Sequence, residues 1–415
     1  MTVAGAQEQI GRIVQQVARA EGGTPCATLI GTPHRAGPQS AALANGTAAH
    51  ALDYDDSSFW MIGHPSAPVV AAVLALAELR GLDGEELVVA LVAGYEVAAR
   101  VGLACGQEHY LAGWHATGTV GTFAAAAAAG RAIGLDAAAM EQALGLAATQ
   151  AAGLKVSFGT MAKPLHAGRA AAAGVLSALL AEQGLTAARG AIEAEQGFAA
   201  TQAPGFDHRR PDREMGERLG IESVLFKKHA CCGGTHGSIS ALRHLVGDRS
   251  FAASDVRRVR VRVSRQMLDI CAVAEPVSGT EGKFSLRHVA SLVLAGRSTG
   301  PTGFTDAAVR DADLLALRGR VEVADSGRAT GHDTEVTLWL ADGDAMTAQS
   351  DARIAAADDE LALEWTALCD KFGELVGPVL GATATAGLVA CVAGVGRGSS
   401  PTDLLALTRP TAVAR

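Results

Sequence analysis

Apolar residues recur at helical spacing through a long stretch of the first half of this 415-residue chain. Between residues 67 and 185 they fall three or four positions apart, as at Val69, Val73, Leu76 and Leu79. This spacing gathers the apolar side chains on one face of an α-helix. The region is therefore predicted to form a series of packed helices.

Three short segments predict where these helices end. In each one a Gly follows a periodic stretch, and an Asp or Thr two positions later can cap the next helix. The segments are Gly81-Leu-Asp83, Gly134-Leu-Asp136 and Gly184-Leu-Thr186. Because this punctuation occurs three times, we expect stacked helical hairpins.

The run from Phe123 to Gly130 contains six consecutive alanines and almost no side-chain volume. A helix that neighbours approach closely on several faces would need such small residues. The high helix propensity of Ala explains the run equally well. The sequence leaves both explanations open.

Strict alternation replaces the helical spacing near residue 250. Residues 258–263 read Arg-Val-Arg-Val-Arg-Val, which predicts a strand with one buried face. Alternating runs at 335–340 and 345–350 flank an Asp-Gly turn and predict a hairpin. The other predicted elements here are a strand at Val321 and Val323 and a helix over 284–296.

Helical spacing returns over residues 356–377, so the predicted fold class is mainly α with an α+β insertion. Residues 1–249 are predicted to form the first part of a large all-helical domain. Residues 250–355 form a smaller α+β domain, and residues 356–415 form a helical segment that returns to the first domain.

Composition and charge exclude several classes of function. Apolar residues make up 49% of the chain and charged residues 19%, which suffices for a large buried core. The net charge of −8 and the lack of a basic face argue against nucleic acid as a partner. Seven scattered cysteines and an N-terminus unlike a signal peptide predict a cytoplasmic protein. The most apolar window, residues 87–104, contains Glu96 and Arg100, so we expect no membrane span.

The densest group of ionisable residues is Asp53, Asp55, Asp56 and His64, within a dozen positions. Such groups are costly to desolvate unless they pair or take part in chemistry, so they form a candidate site. For Asp56 a capping role is the simpler interpretation. A loop can fold the Asp53 carboxylate back onto the His64 imidazole, where it would raise the imidazole pKa.

Three further segments place His or Lys beside Gly or Pro, and they contain His115, Lys163 and His236. A single His is more often structural than catalytic. Lys163 precedes a Pro at an apolar helix start, where a buried substrate carboxylate would explain its charge. Metal binding is disfavoured because no paired His motif is present, and a nucleophilic serine elbow is also absent.

Taken in chain order, these segments resemble the MmgE/PrpD family, which includes 2-methylcitrate dehydratase, cis-aconitate decarboxylase and iminodisuccinate epimerase. The similarity runs from about residue 5 to residue 380. The matching segments are Asn45-Gly-x-x-x-His-x-Leu-Asp53-Tyr-Asp-Asp, His64-Pro-Ser, Gly94-Tyr-Glu96, Gly113-x-His115-x-Thr117, Lys163-Pro-Leu-His-Ala-Gly168, Lys228-x-x-x-Cys232-x-x-x-His236 and Lys283-Phe-Ser-Leu.

The resemblance implies a large all-helical domain formed by both ends of the chain, a smaller α+β lid domain between them, and a homodimer. It also implies a site between the domains that uses no metal or other cofactor and takes a small di- or tricarboxylic acid. A proton moved next to a carboxylate creates an enolate-like dianion, which fixed positive charge must stabilise. By this resemblance His64, oriented by Asp53, is the expected acid/base, and His115 is a second acid/base or a carboxylate donor.

The remaining expected contacts bind the substrate. Lys163 and His236 are expected to anchor its carboxylates, and Ser57 and His288 to touch it. Position 57 is Ser where the family usually has Thr, and His288 stands where a Tyr is common. The resemblance therefore specifies the family and not the substrate.

The favoured hypothesis is a lyase or isomerase of the 2-methylcitrate dehydratase type, working by proton transfer next to a carboxylate. Activities like those of iminodisuccinate epimerase or cis-aconitate decarboxylase are alternatives within the family. A non-catalytic member that binds a carboxylate is an alternative of another class. A metal hydrolase ranks last.

Overall fold

The computed structural model describes residues 1–247, 251–351 and 361–410. Its helices are α1 (Thr2–Gly5), α2 (Gln9–Ala20), α3 (Pro38–Ala51), α4 (Ser66–Arg80), α5 (Gly84–Leu111), α6 (Val120–Ala132), α7 (Ala137–Ala148), α8 (Ala162–Glu182), α9 (Phe198–Gln202), α10 (Arg210–Met215), α11 (Gly233–Gly247), α12 (Arg265–Ile270), α13 (Gly279–Gly282), α14 (Leu286–Leu294), α15 (Asp306–Val309), α16 (Ala312–Arg318), α17 (Leu361–Leu380), α18 (Ala382–Ala393) and α19 (Pro401–Leu407). Its strands are β1 (Ala27–Thr28), β2 (Arg35–Ala36), β3 (Asp56–Ser58), β4 (Val224–Phe226), β5 (Val256–Val263), β6 (Val321–Asp325), β7 (Asp333–Leu340) and β8 (Ala345–Asp351).

The alanine-rich helix α6 lies at the centre of the helical region, where α4, α5, α7 and α8 pack around it. Its entire alanine run is buried. A Cβ on Gly174 of α8 would lie 2.5 Å from the Cβ of Ala125. A Cβ on Gly94 of α5 would lie 2.9 Å from the Cβ of Ala128. Close approach by its neighbours therefore accounts for the run.

Two of the three predicted helix junctions are confirmed. The Asp83 and Asp136 side chains accept backbone N–H groups in the first turns of α5 and α7. The third segment also ends a helix, since Gly184 follows α8 with a φ of +86°. Thr186 caps nothing, however, because the next helix begins only at Phe198.

The predicted strands are confirmed as a four-stranded mixed sheet with the order β6-β5-β7-β8. β5 is parallel to β6 and antiparallel to β7, and β7 is antiparallel to β8. The valines of β5 are buried, whereas its outward arginines pair with glutamates of β6 and β7. The helix predicted over 284–296 is α14.

The division into domains stays a prediction. Helix α11 packs against α14, β7 and β8, so elements that cover the sheet begin before residue 250. At the other end of the chain α17 contacts α1, and α19 contacts α4. The predicted boundaries at 249/250 and 355/356, and the first residues of the helix predicted over 356–377, lie outside the described residues.

A short two-stranded ladder brings distant parts of the chain together. β3 pairs antiparallel with β4, with Ser57 opposite Leu225. On α17, Lys371 Nζ donates to the carbonyls of Tyr54 at 2.6 Å and Lys227 at 2.8 Å. Three segments far apart in sequence therefore meet beside the acidic cluster.

By length and composition, α5 is the one helix in the described ranges that could cross a membrane. Half of its most apolar window is buried inside the protein, where it packs on α4 and α6. Within the helix, Arg100 Nε pairs with Glu96 Oε1 at 2.7 Å. Packing in the helical core thus accounts for its apolar composition.

Candidate active site

A cavity of about 130 Å³ contains most of the predicted site residues. Part of its lining comes from β3 and the turn after it, the segment before α6 and the start of α8, and another part comes from the α11 and α12 region. Its polar lining includes Ser57, His64, His115, Lys163, Lys227, Cys232, Gln266 and His236. Its aromatic and apolar lining includes Phe158, Phe226, Met267, Ile270 and Phe284.

Asp53 lies beside this cavity at the centre of a buried ion cluster. Its Oδ2 is 2.9 Å from Lys163 Nζ, and its Oδ1 accepts a short hydrogen bond from Lys227 Nζ. Burial opposes ionisation of Asp53, but the two ammonium groups outweigh it and keep its pKa well below the ordinary value. The partner of the Lys163 charge is therefore Asp53. Two ammonium groups against one carboxylate leave a net positive charge.

Local structure explains how these three side chains meet. Asp53 follows the end of α3 with a φ of +50°, a left-handed conformation that Asp adopts more readily than most residues. Lys163 lies in the first turn of α8. Lys227 directly follows β4, and its backbone N–H donates to the Asp55 carbonyl at 3.0 Å.

His64 lines the cavity, but Asp53 does not orient it, because both lysines occupy that carboxylate. The His64 Nδ1–H donates instead to the Asp56 carbonyl at 2.6 Å, and Ser57 Oγ lies 3.4 Å from the same nitrogen. A carbonyl only accepts, so the neutral ring carries its lone pair on Nε2. Burial, aided by the Lys227 charge, lowers the His64 pKa well below its ordinary value. The expected contact and the expected rise in pKa are both wrong.

His50 was not selected from the sequence, yet its ring centroid lies 4.6 Å from that of His64. Its Nδ1–H donates to the Asp55 carboxylate at 2.8 Å. Its Nε2 has no hydrogen-bond partner among the described residues. Asp55 thus orients His50 as Asp53 was expected to orient His64.

The Asp56 carboxylate has the capping role that the simpler interpretation gave it. It accepts from the backbone N–H of Ser66 at 3.1 Å and from Ser66 Oγ at 2.7 Å, at the start of α4. Burial, with the neighbouring Asp55 charge, raises the pKa of Asp56 to about 7. Asp56 therefore stabilises the turn that carries His64.

His115 precedes α6, and its backbone N–H donates to the Gly153 carbonyl at 2.9 Å. Its Nδ1 lies 3.0 Å from His166 Nδ1, and its ring packs edge-on against Phe158 with centroids 4.9 Å apart. Its Nε2 makes no hydrogen bond within the described ranges. Burial, followed by the Lys163 charge, lowers the His115 pKa well below its ordinary value.

His236 and Cys232 lie at the start of α11 and enter the cavity from the other side. His236 Nε2–H donates to the Cys231 carbonyl at 3.3 Å. Burial, aided by the Lys227 charge, lowers the His236 pKa to about 4. A hydrogen bond with the Cys271 thiol lowers the pKa of the Cys232 thiol to about 7.

Two groups of described residues have ligand atoms close enough to hold a metal ion: His50, His64 and His115, and His50, Asp53 and Asp55. In the second group the Asp53 carboxylate already pairs with lysines, and the Asp55 carboxylate pairs with His50. A cation there would have to displace these partners. The first group has free nitrogen atoms.

Two family models together match most of the chain. The MmgE/PrpD N-terminal domain model matches residues 1–211, and the MmgE/PrpD C-terminal domain model matches residues 229–393. The chain belongs to the MmgE/PrpD family. The resemblance found in the motifs is confirmed, and so is the mainly helical fold class with an α+β part.

Similar curated proteins include cis-aconitate decarboxylases. The one from Aspergillus terreus is 31% identical over 288 residues, which is 64% of this chain and 59% of that protein. The Homo sapiens protein is 29% identical over 332 residues, 77% of this chain and 68% of that protein. The matched region spans about three-fifths of the length of the Aspergillus relatives.

In this MmgE/PrpD member His288 lies outside the cavity. It is fully buried on α14, where its Nε2–H donates to the Gly303 carbonyl at 2.9 Å. Its ring packs edge-on against Phe304, with centroids 5.7 Å apart. The His288 side chain is packed inside the protein and does not reach the cavity. The expected contact between His288 and the substrate is therefore wrong.

Lys227 is the main site residue that sequence analysis left unassigned. The motif comparison began at Lys228, whose side chain is exposed, whereas Lys227 is buried in the ion cluster. Successive residues of an extended segment point in opposite directions. The adjacent lysines after an apolar strand were therefore a signal that one of them turns inward.

Proposed function

We propose that this chain is a cofactor-independent lyase that acts on a small tricarboxylic acid. The reaction proceeds through a carbanion next to a carboxylate, which an imidazole protonates or generates. The observation that carries the proposal is the shared cavity lined by Lys163, Lys227, His64, His115 and His236. Membership of the family and the names of the relatives support the same class of chemistry.

Charge explains the choice of substrate class. Lys163 and Lys227 share one carboxylate, that of Asp53, so the cluster has a positive charge left for a ligand. Buried ammonium groups act on a substrate charge more strongly than exposed ones, because water does not screen them. They also cost little reorganisation when charge develops in the transition state. A substrate carboxylate would therefore bind beside both lysines.

The imidazoles supply the proton transfer. The His64 Nδ1–H is committed to the Asp56 carbonyl, so Nε2 is the atom that takes up or delivers a proton. Both His64 and His115 have lowered pKa values and are neutral at rest. A bound polycarboxylate raises the pKa of a nearby imidazole and favours its protonated form. His64 is thus proposed as the principal acid/base and His115 as the second.

Decarboxylation of cis-aconitate is the first reaction to test, because the matched relatives carry that name. In such a step a C–C bond breaks, carbon dioxide leaves, and its electron pair stays on the carbon skeleton. A protonated imidazole then delivers a proton to carbon. Dehydration of 2-methylcitrate and epimerisation of iminodisuccinate also require proton transfer beside a carboxylate, and they are the alternatives.

The test incubates the purified protein with cis-aconitate, 2-methylcitrate, citrate and iminodisuccinate in heavy water and follows each by NMR. We expect one of them to react. Decarboxylation or epimerisation should place deuterium on carbon in the product, whereas dehydration should remove a proton from carbon without adding one. His64→Gln should lower kcat by at least about 100-fold, the usual contribution of general acid–base catalysis. His244→Gln, at an exposed position on α11, is the matched control and should leave kcat unchanged. No reaction with any substrate, or full activity in His64→Gln, would overturn the proposal.

We further propose that the protein is a homodimer, as the family resemblance implies, and that it is cytoplasmic, as its scattered cysteines predict. Light scattering on the purified chain measures the oligomeric state directly. A monomer mass at working concentration would contradict the dimer, and fractionation of the source cells would test the location.

A further inference from the structure

The imidazoles of His50, His64 and His115 lie close together. Proton transfer would use only one or two of them, so it does not explain why all three converge. A ligand nitrogen of each ring lies within 4.8 Å of those of the other two. The ring centroids are 4.6, 6.1 and 6.3 Å apart. His50 and His115 are almost completely buried.

Each of the three rings has its Nδ1 engaged by a neighbouring group outside the trio. The His50 Nδ1–H donates to a carboxylate and the His64 Nδ1–H to a backbone carbonyl, as described above. The His115 Nδ1 lies 3.0 Å from His166 Nδ1. Meanwhile Nε2 of His50 and Nε2 of His115 are buried without a partner among the described residues.

This pattern is that of metal-binding histidines. A ligating His normally donates its other ring N–H to a carboxylate or a backbone carbonyl, which fixes the tautomer and directs the free lone pair at the metal. His50 with Asp55 and His64 with the Asp56 carbonyl meet this condition. Three His ligands and one open position form a common zinc coordination set.

Charges of both signs surround the three rings. The Lys163 charge acts to lower the pKa of all three, whereas the Asp55 carboxylate acts to raise the pKa of His50 and His64 and so favours a cation beside them. All three ring pKa values are lowered, chiefly by burial, so the rings are neutral near neutral pH and each has one nitrogen that carries no proton. A metal ion would therefore not have to displace protons from them.

We propose that His50, His64 and His115 form a binding site for a zinc-like divalent transition-metal ion, and that the bound ion inhibits the enzyme. Zn–N bonds of about 2.0–2.1 Å in a tetrahedral site bring the nitrogens to about 3.4 Å from one another, so the rings must close slightly around the ion. The open position faces the cavity that His64 lines. Inhibition follows because metal coordination occupies Nε2 of His64, and this part rests on the proposed function.

The test measures binding without reference to activity. Co²⁺ is added to the metal-free full-length protein, and its visible absorption spectrum and stoichiometry are recorded; Zn²⁺ is then titrated to displace it. We expect one ion per chain with the intense absorption of four-coordinate Co²⁺. His50→Gln and His115→Gln should each abolish this spectrum, and Asp55→Asn, which removes only the orienting carboxylate, should weaken binding by about 10–100-fold.

His208→Gln, at an exposed position, is the matched control and should bind like the wild type. Circular dichroism of each variant separates loss of binding from loss of folding. The proposal is overturned if the wild type binds no stoichiometric ion, or if binding persists in folded His50→Gln or folded His115→Gln. Binding without any turnover would instead refute the proposed function and leave the metal site intact.

Discussion

Charged pairs occur in two very different places in this protein, beside the cavity and on the outer face of the sheet. The ion cluster of Asp53, Lys163 and Lys227 is buried, with each residue less than 5% exposed. On the sheet, Arg262 pairs with Glu335 at 3.2 Å, but their side chains are 42% and 31% exposed. The same kind of contact therefore operates in two environments.

The difference shows which charges the fold depends on. A buried ion has lost its hydration, so removing its partner leaves a charge that nothing compensates. An exposed ion recovers its hydration when its partner is removed. Charge on the sheet face keeps that face polar, whereas the charge beside the cavity is the one proposed to bind a ligand, so a change there is expected to alter both stability and activity.

The largest effect is expected for Asp53→Asn, which removes the buried carboxylate that pairs with both Lys163 and Lys227. Breaking a buried ion pair in this way costs about 3–5 kcal/mol. The free energy of unfolding, measured with urea at neutral pH, should fall by that amount, and activity should be lost. Asp344→Asn, in the exposed turn between β7 and β8, is the matched control and should change neither.

Acid should remove the difference in stability between the wild type and Asp53→Asn. The folded pKa of Asp53 is depressed, so its stabilisation is present above the unfolded value of about 3.9 and is lost as pH falls through the folded value. The stability difference between wild type and Asp53→Asn should thus be constant near neutrality and shrink below about pH 4. A difference that grew in acid would contradict the assigned charges.

A smaller loss of stability is expected for Lys371→Met, which removes the ammonium group that joins the carbonyls of Tyr54 and Lys227. Hydrogen bonds from charged groups contribute about 1.5–3 kcal/mol, and urea unfolding should show a loss in this range. Because this contact holds the backbone of Lys227 itself, just after β4, KM should rise as well. Lys228→Met, whose side chain is exposed, is the control, and an equal loss there would refute the positioning role.

The pH dependence of the wild type tests the burial of His64. Burial and the Lys227 charge depress its pKa, so the neutral base persists below the ordinary imidazole value of about 6.5. We expect kcat/KM to stay nearly constant from about pH 8 to about pH 6. An unperturbed His would retain only about a quarter of its neutral form at the lower limit. A half-loss near pH 6.5 would indicate that a solvated His is the base.

The two regions also differ in how far the sequence predicted them. The sheet follows from period-2 alternation such as that of residues 258–263, because each residue's side is decided by its immediate neighbours. The ion cluster joins Asp53 to Lys227, 174 positions later, through the β3–β4 ladder. No local pattern specifies that pairing, so the contact of Asp53 with His64 was predicted in its place. Motif order was enough to select Lys163, His64 and His115 but not their partners.

The smallest effect is expected for Arg262→Ala, on the exposed face of β5. This variant removes the pair with Glu335 and a weak contact with the Ser326 carbonyl at 3.4 Å. Exposed pairs contribute about 0–1 kcal/mol, and salt screens them further, so the loss should be under about 1 kcal/mol and decrease as salt is added. Val261→Ala, one residue earlier on the buried face, should cost more because it leaves a cavity. If Arg262→Ala instead destabilised the protein as much as Asp53→Asn, burial would not explain the difference in stability between the two sets of charges. The ion cluster beside the cavity would then differ from the pairs on the sheet only in its proposed chemistry.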